Sequence, residues 1–444
     1  MKINIDGKVI DASEGMNILQ AAEENGIHIP TLCYLKEINC ISVCRVCMVE
    51  ADGKLVPACS TAIREGMEIA TNGLRSREAR RKNLELICSD HIMDCTDCPR
   101  GVDCELRALC KEYEVNDRAY GLGRRSAMID TSTPYLVRDN AKCILCRRCE
   151  AVCDKVQGIR AIAASNKGNE TTIGFSLPLA ETDCVGCGQC VAVCPTGALV
   201  PKDDTKKVWK ALFDKEKFVV AAVSPSTYLR IGELFGEAPY TDCGKKLSEI
   251  LRKIGFDAVF DMADEENRRE KVMLLKASSA KGTVISGNCP AWRRYVERFH
   301  PELIDRLLIP SDWCSELTEH CKAKANNKEV FIVSIASCIA DKGNGCKADA
   351  VLSTREVFEM IRRACVSNFT ANQVWDKLQG ESFDNLPTRD EIPDTAIRML
   401  SVNGLIDAEK ALKKLDNYEL IQVHACPGGC INGSKTLYPY HGTV

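Results

Sequence analysis

One spacing of four cysteines occurs twice in this chain. Cys143-x2-Cys146-x2-Cys149-x3-Cys153 recurs 41 residues on as Cys184-x2-Cys187-x2-Cys190-x3-Cys194, and the second run closes on Pro195. Each run wraps three thiols round a tight loop and sets a fourth one helical turn further along. Sulfurs held this way suit the corners of an iron–sulfur cubane. Such a chain must close around something other than its own side chains, and an aromatic share of only 6% agrees with that.

The repeat resembles that of bacterial two-cluster ferredoxins, which implies a crossed assignment. Cys143, Cys146, Cys149 and Cys194 would then hold one [4Fe–4S] cluster, and Cys184, Cys187, Cys190 and Cys153 the other. Asp154 stands where the pattern has proline, which leaves the ligands untouched. The opening "MKINIDGKVIDASEG" does not read as a secretory signal, and no apolar run reaches a membrane span. A cytoplasmic location is therefore expected. There thiols stay reduced, so 27 cysteines point to metal rather than disulfides. With 59 basic and 62 acidic residues the net charge is −3, which disfavours nucleic acid and acidic lipid as general partners.

Upstream, "KINIDGKVIDA" reads as a short hairpin and "MNILQAAEENG" as a helix. Cys33-x10-Cys44-x2-Cys47-x11-Cys59 follows, four thiols with one tight pair. Zinc sites usually use two tight pairs, whereas plant-type [2Fe–2S] proteins use a loop, a pair and a distant fourth cysteine. Here the loop is longer, and both metals stay open on spacing. Cys40 has no place in the pattern and is expected to be structural. His91-x3-Cys95-x2-Cys98-x5-Cys104 suits either a structural zinc or a [4Fe–4S] cluster with one imidazole ligand. Between these groups "RSREARRK", residues 75 to 82, reads as a solvated basic helix face or a docking patch for an acidic partner.

Beyond residue 215 the pattern turns α/β. Apolar stretches ("FVVAAVS", "FDAVF", "GTVIS", "EVFIVSIA", "DAVLS", "ELIQVHA") alternate with helical segments such as 244–255 and 354–364, as parallel strands and crossover helices do. Cys289 in "SGNCPAW", Cys338, and Cys426 and Cys430 in "ACPGGCINGS" each follow such a stretch. All four can converge at one carboxyl edge of a parallel sheet, where ligands bind. The two glycines of "CPGGC" let the backbone close around a cubane. The alternative is four thiols packed as small hydrophobes. Cys314, Cys321 and Cys346 read as a further site or as structural thiols; Cys88, Cys110, Cys243 and Cys365 match no group.

In this order the groups resemble modular [FeFe]-hydrogenases, and residues 1 to 200 also resemble the large iron–sulfur subunit of respiratory NADH dehydrogenase. The resemblance implies a β-grasp [2Fe–2S] domain over 1–72, with Cys33, Cys44, Cys47 and Cys59 as ligands. It implies a one-His-three-Cys [4Fe–4S] domain over 73–135 on His91, Cys95, Cys98 and Cys104. A two-[4Fe–4S] ferredoxin domain over 136–212 and a truncated hydrogenase-like α/β domain over 213–444 would follow. Stretches such as "VSPSTYLRIGELFG", "CPAWRRYVERFHPEL" and "ACPGGCING" carry the last likeness. In that family four cysteines hold a cubane and the last also bridges to a two-iron subcluster bearing CO and cyanide. Cys289, Cys338, Cys426 and Cys430 fall on those positions. The departures all concern the two-iron part. Asn288 replaces a proton-relaying cysteine, and an amide cannot act as acid or base near neutral pH. Asp341 replaces the lysine that holds a cyanide, with Lys342 one place off. Gln422 replaces a glutamate of the proton path, Ala336 and His424 replace methionines, "MADEENRREK" replaces a segment of small residues, and the glycine run after Cys430 is cut to "CINGSK".

The fold class expected is thus multidomain α+β and α/β. The function expected is an iron–sulfur electron-transfer subunit of an NAD(P)H-linked flavoprotein oxidoreductase, one of a group that includes electron-bifurcating complexes. It would carry one [2Fe–2S] cluster, three [4Fe–4S] clusters and a fourth [4Fe–4S] cluster in the last domain, and no two-iron subcluster. Its partners would be a flavin-containing NAD(P)H-oxidising subunit, a small [2Fe–2S] subunit, and ferredoxin or another redox subunit. No G-x-G-x-x-G follows a strand, so the dinucleotide would bind elsewhere. The rivals are a modified [FeFe]-hydrogenase or hydrogen sensor, which residues 288 and 341 argue against, and a zinc scaffold, which the cysteine repeat argues against.

Overall fold

The computed structural model describes residues 1–101, 103–120, 128–174, 177–309, 312–343, 347–364, 376 and 397–430. Strands Lys2–Ile5 and Lys8–Asp11 pair antiparallel. Asp6 and Gly7 between them both take positive φ (52° and 84°), as a type I′ hairpin turn requires. Glu68–Ala70 lies parallel to the first strand, and Met48–Ala51 and Lys54–Pro57 complete a five-stranded mixed sheet. Helix Ile18–Glu24 begins at a reciprocal cap between Asn17 and Gln20. It packs Ile18, Leu19, Ala21 and Ala22 into the same core as Ile3, Ile5 and Val49 of the sheet.

Helix Leu74–Ser89 carries the basic run, and the run is not simply a solvated face. Arg80 is 2% exposed and donates to the carbonyls of Met48 and Thr71 (2.9 and 2.6 Å) and to the Tyr113 hydroxyl (3.1 Å). Arg75 pairs with Glu50, Arg81 with Glu85, Lys82 with Glu78, and the Arg77 guanidinium lies over the Tyr113 ring. Arg80 alone is drawn inside; Arg75, Arg81 and Lys82 stay more than half exposed, as a solvated face does.

The two cysteine runs build matching loops. The residues flanking the second cysteine are left-handed in both: Leu145 and Arg147 in one (φ 55° and 60°), Gly186 and Gly188 in the other (67° and 75°). This turns the Leu145 and Gly186 amides onto Cys143 and Cys184, each N–H donating to sulfur at 3.4 Å. The runs then part. Cys153 lies in a π-helical turn, Val152–Val156, which a proline at 154 would break, whereas the second run ends at Pro195.

The C-terminal half holds two four-stranded parallel sheets, not the single one expected. One is ordered Ala258–Asp261, Lys217–Val223, Glu329–Ile335, Ala350–Leu352; the other Leu307–Leu308, Val284–Ser286, Leu420–His424, Met399–Asn403. Every strand read from the sequence is present, and helices 244–254 and 354–363 also stand where expected. The two-residue strand Leu307–Leu308 and the half-exposed Met399–Asn403 lacked a pattern to reveal them. Among the described residues no helix is long and apolar enough to cross a membrane.

Buried charge ties the halves together. The Lys342 side chain is 1% exposed; its ammonium meets Glu356 at 2.9 Å and Asp204 at 3.3 Å and donates to the Val351 carbonyl. Arg294 donates to the carbonyls of Val185, Gly343 and Ala340 and lies over the Tyr135 ring. Lys342→Met would leave two buried carboxylates facing each other, a loss of about 3–5 kcal/mol by the usual cost of breaking a buried pair. Chemical denaturation followed by tryptophan fluorescence should show a lower midpoint for the C-terminal half. An unchanged midpoint would mean that the network is solvated.

Candidate metal centres

The first group is the tightest. Cys33, Cys44, Cys47 and Cys59 are all buried, at 7% exposure or less. Neighbouring thiols are the first cause lowering Cys59 and raising Cys33 and Cys47, so the four lie close enough to perturb one another. Cys40 is not a buried structural thiol as expected; it is exposed, beside the exposed Ile41 and Val43.

Asn39, unread in the sequence, links this group to the next. It is 2% exposed, and its amide nitrogen donates to the Cys33 carbonyl at 2.6 Å and the Cys146 carbonyl at 3.0 Å. A single side chain thus spans two ligand loops 113 residues apart.

His91, Cys95, Cys98 and Cys104 form the second group. His91 is 6% exposed, and its Nδ1 lies 3.1 Å from the Lys142 carbonyl. A carbonyl can only accept, so Nδ1 carries the proton and Nε2 is the acceptor nitrogen of the ring, the tautomer expected of a ligating imidazole. Burial pushes the Cys104 thiol up to about 11, and it donates to the Pro195 carbonyl at 3.6 Å. A Cβ on Gly197 would come within 2.6 Å of the Cys98 sulfur. Lys142, Pro195 and Gly197 flank Cys143 and Cys194, so this group rests directly on the first ferredoxin pocket.

Two enclosed pockets follow, and their linings are crossed. One is lined by Cys143, Cys146, Cys149 and Cys194; the other by Cys153, Cys184, Cys187 and Cys190. Burial comes first among the causes raising Cys146, Cys149, Cys187 and Cys190, with neighbouring thiols behind it. In such an enclosure these groups stay neutral thiols, and thiolates would persist only beside a cation. The second pocket adjoins the C-terminal half. Cys153, Cys184 and Cys187 share one core cluster with Cys289, Cys338 and Trp292. Gln157, 1% exposed, donates to the Ala425 carbonyl at 3.1 Å.

Cys289, Cys338, Cys426 and Cys430 all line one cavity of about 500 Å³. They arrive from two sheets: Cys338 beyond strand Glu329–Ile335, Cys289 and Cys426 beyond Val284–Ser286 and Leu420–His424. The carboxyl-end rule holds, with the cavity at the meeting of two edges. Burial, then neighbouring charge, raises Cys338 and Cys426. His424 Nδ1 stands 3.2 Å from the Cys430 sulfur, so it neighbours the group. Asn288 lines the cavity with a buried Oδ1 that has no hydrogen-bond partner among the described residues.

The rest of the wall is charged. Helix Ala263–Ser279, built from "MADEENRREK", sends Glu266 and Glu270 to it, and Asp341 and Asp312 add two carboxylates. Glu266 accepts from the Ser224 hydroxyl at 2.8 Å, and burial raises its pKa. Lys342 is turned away into its own network, and Lys347 is 78% exposed and paired with Asp312 at 2.8 Å. Arg269, paired with Glu265, and Arg293, whose pKa burial lowers, also line the cavity, so its wall carries both signs of charge. Cys243, Cys314 and Cys321 pack as buried core thiols; Cys346, Cys365 and most of "CINGSK" lie outside the described residues.

Compared with known proteins, the chain matches four families in succession. These are the 2Fe-2S iron-sulfur cluster binding domain over 1–73 and the NADH-ubiquinone oxidoreductase-G iron-sulfur binding region over 80–119. The 4Fe-4S dicluster domain matches 142–198, and the iron only hydrogenase large subunit, C-terminal domain, matches 217–391 and 376–434. The chain is 30% identical to the NADP-reducing hydrogenase subunit HndD of Solidesulfovibrio fructosivorans, over 100% of this chain and 90% of that one. It is 28% identical to iron hydrogenase 1 of Clostridium pasteurianum, over 97% and 88%. Its first half is 36% identical to the alpha subunit of the NADPH-Fe(3+) oxidoreductase of Geobacter sulfurreducens, over 46% of this chain and 24% of that one.

Gly197→Ala tests the second group. The added methyl should displace Cys98 and cost the chain the cluster expected on His91, leaving the others. Iron analysis with electron paramagnetic resonance (EPR) should show one signal lost; a full set of signals would mean that Cys98 is not a ligand.

Proposed function

The chain belongs to the family of the NADP-reducing hydrogenase subunit HndD, which it matches over its length, with the iron-only hydrogenase C-terminal domain over 217–434; we propose that it is the iron–sulfur electron-transfer subunit of an NAD(P)H-linked flavoprotein oxidoreductase. The observation that carries this reading is contiguity: the first, second and last cysteine groups are each joined to the ferredoxin repeat through a named contact. Asn39 joins the first to the ferredoxin repeat, and the Lys142 and Pro195 carbonyls join the second to it. Gln157 and the shared core join the repeat to the last. Two groups therefore converge on one ferredoxin pocket, and a single line leads on to the C-terminal cavity.

The ligand sets are those that the family resemblance implies. Cys33, Cys44, Cys47 and Cys59 would hold a [2Fe–2S] cluster in a β-grasp domain over 1–72. His91, Cys95, Cys98 and Cys104 would hold a [4Fe–4S] cluster, with Nε2 of the imidazole as its nitrogen ligand. The repeat would hold two more, and Cys289, Cys338, Cys426 and Cys430 a fourth. Bound clusters supply one-electron carriers. The chain's own part is to fix the sulfurs, donate backbone N–H groups to them and exclude water, which sets potential as well as position.

The C-terminal cavity supports a cubane without the two-iron subcluster. Its four cysteines line one cavity, Asp341 stands where the resemblance implies the anion-holding lysine, Lys342 is held in its own ion-pair network, and Glu266 and Glu270 share the wall with Arg269 and Arg293. Asn288 and Gln422 offer no titrating proton. A flavin-containing NAD(P)H-oxidising subunit and a small [2Fe–2S] subunit are the partners proposed, since this chain lacks a dinucleotide fingerprint and its relatives include a subunit of an NADP-reducing hydrogenase. The rival, a modified hydrogenase or hydrogen sensor, requires a proton relay and an anion-holding lysine where this chain has Asn288 and Asp341.

Cys187→Ser should abolish electron transfer through the assembled complex while the first 110 residues keep their cluster signals. Full turnover with one cubane demonstrably absent would overturn the reading. Infrared spectra of the matured complex should lack the CO and cyanide bands of a two-iron site; bands that track with this subunit would restore the rival.

A further inference from the structure

Cys88 and Cys110 belong to no cluster group, and their spacing gives no reason to pair them. In the fold their sulfurs stand 3.3 Å apart. Cys88 lies near the end of helix Leu74–Ser89 and Cys110 within helix Glu105–Glu112, and the two helices pack together around Leu84, Leu106 and Tyr113. Their accessibilities differ. Cys88 is 0% exposed, whereas Cys110 is only partly buried. The segment between them contains His91, Cys95, Cys98 and Cys104, so a bond from 88 to 110 would close a covalent loop around the whole second group. The first helix ends just before His91, and Cys104 caps the second.

We propose that Cys88 and Cys110 are a reversible dithiol–disulfide site, oxidised by small disulfides of the glutathione class. The site is within reach of disulfide geometry, since the helices already touch and each sulfur needs only a small rotation to close the remaining gap to about 2 Å. Cys110, the reachable thiol, attacks one sulfur of the external disulfide, forming a mixed disulfide and releasing one thiol. Cys88, buried directly behind it, attacks the Cys110 sulfur and releases the second. Two protein thiols and one external disulfide become one protein disulfide and two external thiols. The two protein protons leave on the released thiols, and the two electrons go to the external disulfide. The bond restrains the loop independently of whatever that loop holds, so this site stands apart from the electron-transfer reading.

The test uses the full chain, purified without oxygen and equilibrated with mixtures of reduced and oxidised glutathione. Acid quenching, alkylation and peptide mapping then follow. A peptide linked between Cys88 and Cys110 should appear as the oxidised fraction rises and vanish when the buffer is reversed. In Cys88→Ser, Cys110 should instead stop as a stable glutathione adduct. The wild-type result stands even if that variant folds poorly. The proposal is overturned if both thiols stay alkylatable at the most oxidising ratio, or if wild-type Cys110 accumulates the adduct and never the link.

Discussion

The structure depends on a crossing. Cys153 and Cys194 each leave their own run to complete the pocket of the other, so neither ferredoxin pocket can form until both runs are folded together. The matched left-handed pairs at Leu145, Arg147, Gly186 and Gly188 make this possible, because they bend both loops alike and aim one amide of each at a sulfur. Leu145 and Arg147 adopt that conformation at a cost of roughly 1–2 kcal/mol each that glycine avoids. The flanking groups are built onto this centre: the imidazole of His91 is oriented by a carbonyl next to Cys143, and the first ligand loop is pinned to Cys146 by Asn39.

The C-terminal domain follows from the same economy of placement. Two parallel sheets bring their carboxyl edges together, and the strand ends deliver four cysteines to one cavity beside the second ferredoxin pocket. Buried ion pairs, not apolar contact alone, hold it in register. Lys342 bridges Asp204 and Glu356, and Arg355 pairs with Asp103. Lys342 shows how the hydrogenase likeness and this fold diverge. One residue from the position of an anion holder, it has become a structural cation, and Asp341 faces the cavity in its place.

The cluster groups were legible because metal ligation imposes spacing along the chain, and cysteine has few other reasons to recur at x2, x2 and x3. Strands of the C-terminal half were legible through their unbroken apolar runs. What escaped was set by tertiary contact. Asn39 and Arg80 look like surface residues until their carbonyl partners fold over them. Cys88 and Cys110 share no periodicity, because two helices, not one loop, bring them together. The split into two sheets escaped because both edges of the second sheet, the two-residue Leu307–Leu308 and the half-exposed Met399–Asn403, carry no apolar pattern. Cys40 erred the other way: an unassigned cysteine was expected inside and lies at the surface.

The central claim is that the last four cysteines carry a cubane and nothing more. The most direct measurement is an anomalous difference map of the intact chain, crystallised with its clusters and recorded at the iron absorption edge. The account predicts a four-iron peak bounded by Cys289, Cys338, Cys426 and Cys430, with no iron in the remainder of the cavity toward Glu266 and Asp341. Two further iron atoms beyond Cys430, or four cysteines without iron, would contradict it.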